Sequence, residues 1–472
     1  MNTIETIASR VKSGKSTAVA EVRAALERAK KHEGHHAFIS MLEKSALKKA
    51  AEIDKKIAAG QAVGRLAGVP YALKDNFLST DGHATAAAKM LENFKSPLTA
   101  TCVRKIEAED AICIGRTNLD AYAHGSSTEN SYFGPTKNAF DKTRVAGGSS
   151  GGSAAVVGLG IVPFALGSDT GGSIRQPASF NNVVGVKPTY GMVSRFGVVA
   201  MASSTDSMGV MAGNVTDAEM VMDIMAGQDE RDGTTWPDYF EPSEKLTKPL
   251  KIGVISECVN DKVDPKVTKQ VDQVIKDLKS KGHKIETVSL PMYKYALAIY
   301  YVVSPAEVCS NLGRFDGIRY GYFDKNAKTL DQVYGINRNE GFMPENKRRI
   351  MIGNYVLSSG FFDAYYLKAQ RARTLLIQDF DKAFAEFDAL ISPVSPNPAF
   401  KLGSKTNDPI QMYLEDIMSV PASLAGLPAY SIPAGKTDEG LPVGVQIIGQ
   451  KKADSLLFAL AKEIEQGVKN ER

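Results

Sequence analysis

Cysteine is scarce in this 472-residue sequence: Cys102, Cys113, Cys258 and Cys309 stand far apart, and no CxxC pair occurs. That excludes a disulfide framework and the usual zinc and redox motifs, and free thiols in a reducing compartment are expected. A basic block is also missing. Fifty-seven Lys and Arg against 53 Asp and Glu give a net charge of +4, spread along the chain, so no nucleic-acid-binding tail is expected. No basic segment followed by an apolar one opens the sequence, so no signal peptide is read and a cytoplasmic protein is expected. Long hydrophobic runs are absent. Residues 145–168 are uncharged but carry seven glycines and four serines, and the apolar part, 154–166, is 13 residues long. That length suits a buried core element, and no membrane contact is expected.

What is present is ordinary globular composition, 43% hydrophobic and 23% charged, with enough apolar mass for a large core. Residues 1–60, rich in Ala, Glu and Lys, read as helical. Residues 64–78 read as a turn and then a short buried strand ending near Lys74. Residues 101–116 read as a helix followed by a strand. Residues 249–290 form a clean βαβ pattern, which predicts parallel strands with a right-handed crossover. A long amphipathic stretch over about 353–387, three short apolar strands near 389–392, 429–433 and 442–448, and a closing helix from Ser455 follow. The polar segment 228–248 reads as an insertion. The expectation is a single α/β domain: a mixed, largely parallel central sheet covered by helices on both faces.

The compositional anomaly is 147–191, with 11 of the chain's 41 glycines. Such density means that backbone approaches something closely or adopts positive φ. Four readings compete. A phosphate loop is one, but Gly14-Lys15-Ser16 has Ser9 where a Walker motif needs glycine, and the Gly158-x-Gly160 pair meets Pro163 where a dinucleotide fingerprint needs a third. An α/β-hydrolase is another: Gly147-Gly148-Ser149-Ser150-Gly151 fits G-x-S-x-G, but His283 is the one histidine downstream to serve it. A third reading is structural, with glycines for close packing and serines for caps.

The fourth is a serine amidohydrolase with lysine as base. Ser149 and Ser173 lie in near-identical glycine settings, and consecutive N–H groups in Thr170-Gly171-Gly172-Ser173 can form a concave nest for an oxyanion. A lysine accepts a proton at neutral pH only if burial lowers its pKa. Lys74, after the apolar run 69–73, fits that need; Lys187, followed by Pro188, is its rival.

These residues have a further property. The lysine, the GGSSGGS run 147–153 and the DTGGSIR run 169–175, continued by Gln176-Pro177-Ala178 and by 185–191, resemble the signature of the amidase signature family. Seventy-five residues separate Lys74 from Ser149 and 24 separate Ser149 from Ser173, as in that family. Segments 310–321, 348–351 and 416–428 extend the resemblance over essentially the whole chain, toward the glutamine-hydrolysing branch that serves tRNA-dependent amidation. On that basis 64–215 is the signature core, and 291–472 carries the substrate pocket.

The resemblance implies Ser173 as nucleophile, Ser149 as a bridge with a cis peptide to Ser150, Lys74 as a neutral base, and an oxyanion hole from Thr170, Gly171, Gly172 and Ser173. It implies glutamine as substrate, with Arg349 for the α-carboxylate, Asp416 for the α-amine, and Tyr300 or Tyr301 as a wall. It implies no metal and no cofactor in this chain. ATP and Mg would act at one of two partner subunits, B and C, in a heterotrimer whose B subunit takes most of the tRNA contact. A free-standing amidase on another small amide is the alternative. Ala121, His124, Ser207 and Asn181-Asn182 depart from the branch's usual residues, and none belongs to the Lys–Ser–Ser set.

Overall fold

The computed structural model describes residues 2–237 and 239–470. Among them, eleven strands form one sheet. They are β1 (Phe38–Met41), β2 (Pro70–Lys74), β3 (Ile112–Thr117), β4 (Phe164–Asp169), β5 (Val184–Lys187), β6 (Ser207–Ala212), β7 (Lys251–Ile255), β8 (Lys284–Val288), β9 (Ala389–Pro393), β10 (Ala429–Lys436) and β11 (Pro442–Gly449). Their spatial order is β1-β3-β2-β4-β6-β5-β10-β11-β9-β7-β8.

Alternation along the strands explains why helices cover both faces. Tyr71 and Leu73 of β2, Cys113 of β3, Phe164 and Leu166 of β4, and Val210 of β6 enter one core. Their neighbours Ala72, Ile112, Ile114, Ala165 and Met211 enter another, with the helices Ala18–Lys31 and Glu43–Ala58. A strand sends successive side chains to opposite faces, so each of these strands is apolar on both.

The mixed sheet with helices on both faces is as expected, as are the buried strand ending at Lys74 and the parallel β7–β8 unit joined by the helix Pro265–Ser280. The balance of directions differs from the expectation. Six of the ten strand pairings are antiparallel, and the four parallel ones lie toward the two ends. The β10–β11 hairpin and the β4–β6–β5 pairings fill the middle, where no βαβ pattern governs direction.

Three further details differ. The N-terminal helical region is interrupted by β1. The apolar segment 154–166 is split between the helix Gly151–Gly158 and β4. The long amphipathic stretch is two helices, Pro344–Leu357 and Lys368–Phe384, because Gly360 turns the chain with a left-handed φ of +86° before a π-helical turn at Phe362–Leu367. Among the described residues, no helix is long and apolar enough to cross a membrane.

Candidate active site

The site is built where β2 and β4 end side by side. Their parallel register pairs Leu73 with Leu166, which sets Lys74 at the end of β2 beside Ser168 of β4. Lys74 Nζ lies 2.9 Å from Ser149 Oγ, 2.9 Å from Ser168 Oγ and 3.3 Å from the Ser168 carbonyl. Asn76 Nδ2 also donates to Ser168 Oγ, at 3.0 Å. Lys74 is fully buried. Burial lowers its pKa to about 7, against the pull of the Asp120, Asp169 and Asp206 carboxylates.

The rival lysine is separated by contact, not by titration. Burial also lowers Lys187 to about 7, with the charge of Arg175 adding to the effect. Its Nζ, however, donates to the carbonyls of Pro188 and Leu427, at 2.9 and 2.7 Å. His283, which an α/β-hydrolase would need, accepts from the Leu250 N–H at Nδ1, and its Nε2 contacts Glu463 at 2.8 Å. It braces β7 against the C-terminal helix.

Ser149 sits just before the helix Gly151–Gly158 and is fully buried. The cis peptide bond is Gly148–Ser149, one residue earlier than the expected Ser149–Ser150 bond. It is held on both flanks: the Gly148 N–H donates to Gln176 Oε1 at 3.0 Å, and the Ser149 carbonyl accepts the Asp120 N–H at 3.2 Å. Ser150 instead turns toward the other serines. Its N–H donates to the Ser173 carbonyl at 3.1 Å and its Oγ to the Ser168 carbonyl at 3.2 Å.

Ser173 ends the loop that follows β4 and keeps 8% of its surface exposed, whereas Lys74 and Ser149 keep none. Asp169 organises that loop. Its carboxylate accepts the N–H groups of Gly172 (2.9 Å), Ile174 (3.1 Å) and Arg175 (3.4 Å), and pairs with the Arg175 guanidinium at 2.9 Å. Burial alone would raise the Asp169 pKa, but Arg175 brings it down to about 2. The Gly172 N–H is thereby taken from the expected nest, because the carboxylate lies beneath it. Thr170, Gly171 and Ser173 are left as the nest's candidates. Gly172 adopts φ +139°, and a Cβ there would run into Ser419 Oγ.

Arg175 carries the loop's position across the fold, donating to the Ser419 carbonyl, Gln446 Oε1 and Ser423 Oγ at 2.8, 2.6 and 2.8 Å. Asp169→Asn leaves this buried guanidinium without its counter-charge. A loss of about 3–5 kcal/mol of stability is expected, read as a lower denaturant midpoint; an unchanged midpoint would contradict this account of the loop.

Two of the expected pocket residues, Tyr300 and Asp416, lie against the same loop. Tyr300 packs against Gly171, where a Cβ would lie 2.9 Å from the tyrosine ring. Asp416 accepts from Ser126 Oγ at 2.5 Å and approaches Gly172, while Ser419, three residues on, donates to the Gly171 carbonyl at 2.6 Å. Burial raises the Asp416 pKa to about 7, opposed by Ser126 and by the charge of Arg349. Arg349 is buried, with its guanidinium 5.2 and 5.7 Å from the ring centres of Tyr301 and Tyr413. Its Nε donates to Glu345 Oε1 at 2.9 Å, and Tyr413 donates to the same oxygen at 2.8 Å. A cavity of ≈ 270 Å³ is lined by Arg349, Glu345, Tyr413, Ser126, Ser127 and His124, among others. A larger groove of ≈ 620 Å³, lined by Tyr190, Arg195 and Glu307 among others, includes none of these groups and none of the catalytic candidates.

Ser168, Asn76, Ser126 and Glu345 were not expected. Glu345 had a signal, since it stands four residues before Arg349 on one helix. Ser168 had none, because its place beside Lys74 depends on the β2–β4 pairing.

Comparison with known proteins gives the family. Residues 20–458 match the family model described as Amidase. The chain belongs to the amidase family. An amidase relative from Carboxydothermus hydrogenoformans, named as the A subunit of glutamyl-tRNA(Gln) amidotransferase, is 48% identical over 98% of this chain and 96% of its own length. One of the same name from Latilactobacillus sakei subsp. sakei is also 48% identical, over 98% and 95%. The crystal structure of the glutamyl-tRNA(Gln) amidotransferase A subunit from Thermotoga maritima superposes with a TM-score of 0.80 at 38% identity, covering 98% of this chain and 94% of that one. A further amidase-fold structure, described as a vestigial complex that reveals the origins of an s-triazine catabolic enzyme, superposes at 0.86 with 31% identity, covering 99% and 98%.

Proposed function

We propose that this amidase is the glutamine-hydrolysing subunit of a tRNA-dependent amidotransferase. The observation that carries the reading is the identity near one half, over almost the full length of both chains, to proteins named as A subunits of that enzyme. The pocket supports it. Free glutamine is a zwitterion and needs a cation and an anion; Arg349, which lines the cavity, and Asp416, which stands behind the lining residue Ser126 and feels the charge of Arg349, are the candidates, and the Arg349 fork suits a carboxylate.

The chemistry proposed is acyl transfer. Ser173 Oγ attacks the side-chain amide carbon of glutamine, and its proton passes to Ser149 Oγ as Ser149 gives its own to Lys74 Nζ. A neutral amine has two N–H groups and one lone pair. The Ser168 carbonyl and hydroxyl oxygens receive the N–H groups, so the lone pair faces Ser149 Oγ at 2.9 Å. The N–H groups of Thr170, Gly171 and Ser173 receive the developing oxyanion. The proton returns through Ser149 to the amide nitrogen, the C–N bond breaks and ammonia leaves. Water then hydrolyses the glutamyl ester.

The ammonia would pass to a partner, the B subunit, that holds ATP and Mg and amidates glutamate, or aspartate, on a mischarged tRNA. A small third partner, the C subunit, would complete the heterotrimer, and tRNA contact would rest mainly with B.

The test is ammonia release from glutamine and from a panel of other amides, by the chain purified from its host with whatever binds it. Preference for glutamine, raised by the copurifying subunits, is the expected result. Preference for another amide with no bound partner would establish a free-standing amidase instead.

A further inference from the structure

His124 is a buried polar side chain that the chemistry above does not use. It lines the ≈ 270 Å³ cavity with Ser126 and Arg349, and it is completely shielded from solvent. A buried imidazole in such a place has a partner for each nitrogen or a reason to lack one.

Its tautomer can be derived from its neighbours. The Asn346 amide is oriented by two backbone bonds: its Oδ1 accepts the Met343 N–H at 3.2 Å, and its Nδ2 donates to the Ala121 carbonyl at 2.8 Å. Asn346 Nδ2 is therefore the nitrogen that lies 2.9 Å from His124 Nδ1. An amide nitrogen has hydrogens and no available lone pair, so His124 Nδ1 is the acceptor. The Ala121 carbonyl, at 3.3 Å from the same Nδ1, would ask for a proton there, but that proton would face the closer amide donor.

The ring is neutral as well, since burial holds its pKa well below the ordinary histidine value and the charge of Arg349 lowers it further. A neutral imidazole with an accepting Nδ1 carries its one proton on Nε2. Among the described residues, Nε2 has no hydrogen-bond partner.

The titratable and charged neighbours give this donor no acceptor. Arg349 is a cation, and Glu345 is already engaged by Arg349, Arg348 and Tyr413. Asp416 is engaged by Ser126. Asp120 and Glu129 also line the cavity. The Asp120 carboxylate receives the Thr128 and Asn130 N–H groups, and Glu129 Oε1 receives the Gly403 N–H; Glu129 Oε2 is unpartnered like His124 Nε2, and the two make no hydrogen bond to each other. What the cavity lacks at this point, among the described residues, is an acceptor oxygen within hydrogen-bond distance of His124 Nε2.

We propose that the α-carboxylate of the bound amino acid supplies that oxygen, so that His124 Nε2–H and the Arg349 guanidinium hold the carboxylate together. The inference rests on the reading of this site as a glutamine site and adds a specificity-determining residue to it. A neutral donor beside the arginine fixes the carboxylate's direction without adding a second charge. It also leaves the unoccupied pocket with an unpaired N–H, which penalises amides that lack the carboxylate.

The experiment compares His124→Met with His124→Gln in the assembled enzyme, with glutamine hydrolysis as the readout. The two replacements have nearly the same length and shape, but Gln keeps an N–H donor at its tip and Met has none. His124→Met is expected to raise KM for glutamine about tenfold with kcat within about twofold, the loss of one charge-assisted hydrogen bond. His124→Gln is expected to hold KM within about threefold of the unaltered enzyme. Equal effects of the two variants, no change with Met, or a fall in kcat at constant KM would each assign His124 to packing and overturn the proposal. The unaltered enzyme in the same assay separates the two claims. If it hydrolyses no glutamine, the reading of the site fails and this inference with it. If it does and the variants behave alike, the inference fails alone.

Discussion

Replacing Ser173 by alanine is expected to remove glutamine hydrolysis almost completely, on the order of a 10⁴- to 10⁶-fold loss in kcat. The magnitude follows from the role. Ser173 keeps 8% of its surface exposed while Ser149 keeps none, and it ends the loop whose N–H groups are the candidate oxyanion donors. Without its Oγ no ester forms, and what survives is the effect of binding and oxyanion stabilisation on direct attack by water. Folding should be untouched, because one small, partly exposed hydroxyl is lost; the stability should stay within about 0.5 kcal/mol. KM or the dissociation constant for glutamine should change little, since the groups assigned to the zwitterion are elsewhere. Retention of more than a few per cent of kcat would remove Ser173 from the mechanism.

Lys74→Met is expected to be nearly as damaging, at least about 10³-fold in kcat. Lys74→Arg should not rescue it, because a guanidinium stays protonated at any working pH. The unaltered enzyme carries a related pH signature. The base must be neutral, and burial places Lys74 at about 7, so kcat should rise with pH through that value and level off above it. The sign is the reverse of a general acid, which would lose activity over the same interval. Asp416 is also raised to about 7, and its carboxylate form is the one that receives an ammonium group. In the saturated complex the ammonium keeps Asp416 ionised, so kcat should fall with a slope of one below pH 7. In kcat/KM both groups count, and the slope should approach two. A flat kcat between pH 6 and 8 would contradict a neutral lysine base.

The candidate trio Lys74, Ser149 and Ser173 was marked in the sequence by short, glycine-rich segments, and the family resemblance singled it out from the competing readings. Lys74 ends a buried strand, and Ser149 and Ser173 end tight loops. The placement of the cis bond at Gly148–Ser149 was not readable, since either neighbour of a Gly-Ser-Ser run satisfies the same residue pattern. The diversion of the Gly172 N–H to Asp169 depends on where that carboxylate folds back, a tertiary fact. Ser168 became visible only with the β2–β4 register. The antiparallel middle of the sheet escaped for a similar reason: β4, β5 and β6 are buried along their whole length, and such strands do not disclose their direction. Arg349 and Asp416 are 67 residues apart in sequence; Arg349 is carried by the helix Pro344–Leu357, packed on the helix Ala296–Leu312, while Asp416 follows the helix Pro409–Leu414 and comes up to Gly172. Nothing in their local sequence announces either placement.

The most direct measurement is acid quenching of the enzyme during glutamine turnover, followed by mass analysis of its peptides. A covalent intermediate at Ser173 predicts one glutamyl group attached to the peptide that contains Ser173, absent in Ser173→Ala and accumulating when water attack is slowed. A glutamyl group on Ser149, or turnover with no covalent adduct at all, would contradict the assignment of nucleophile and bridge.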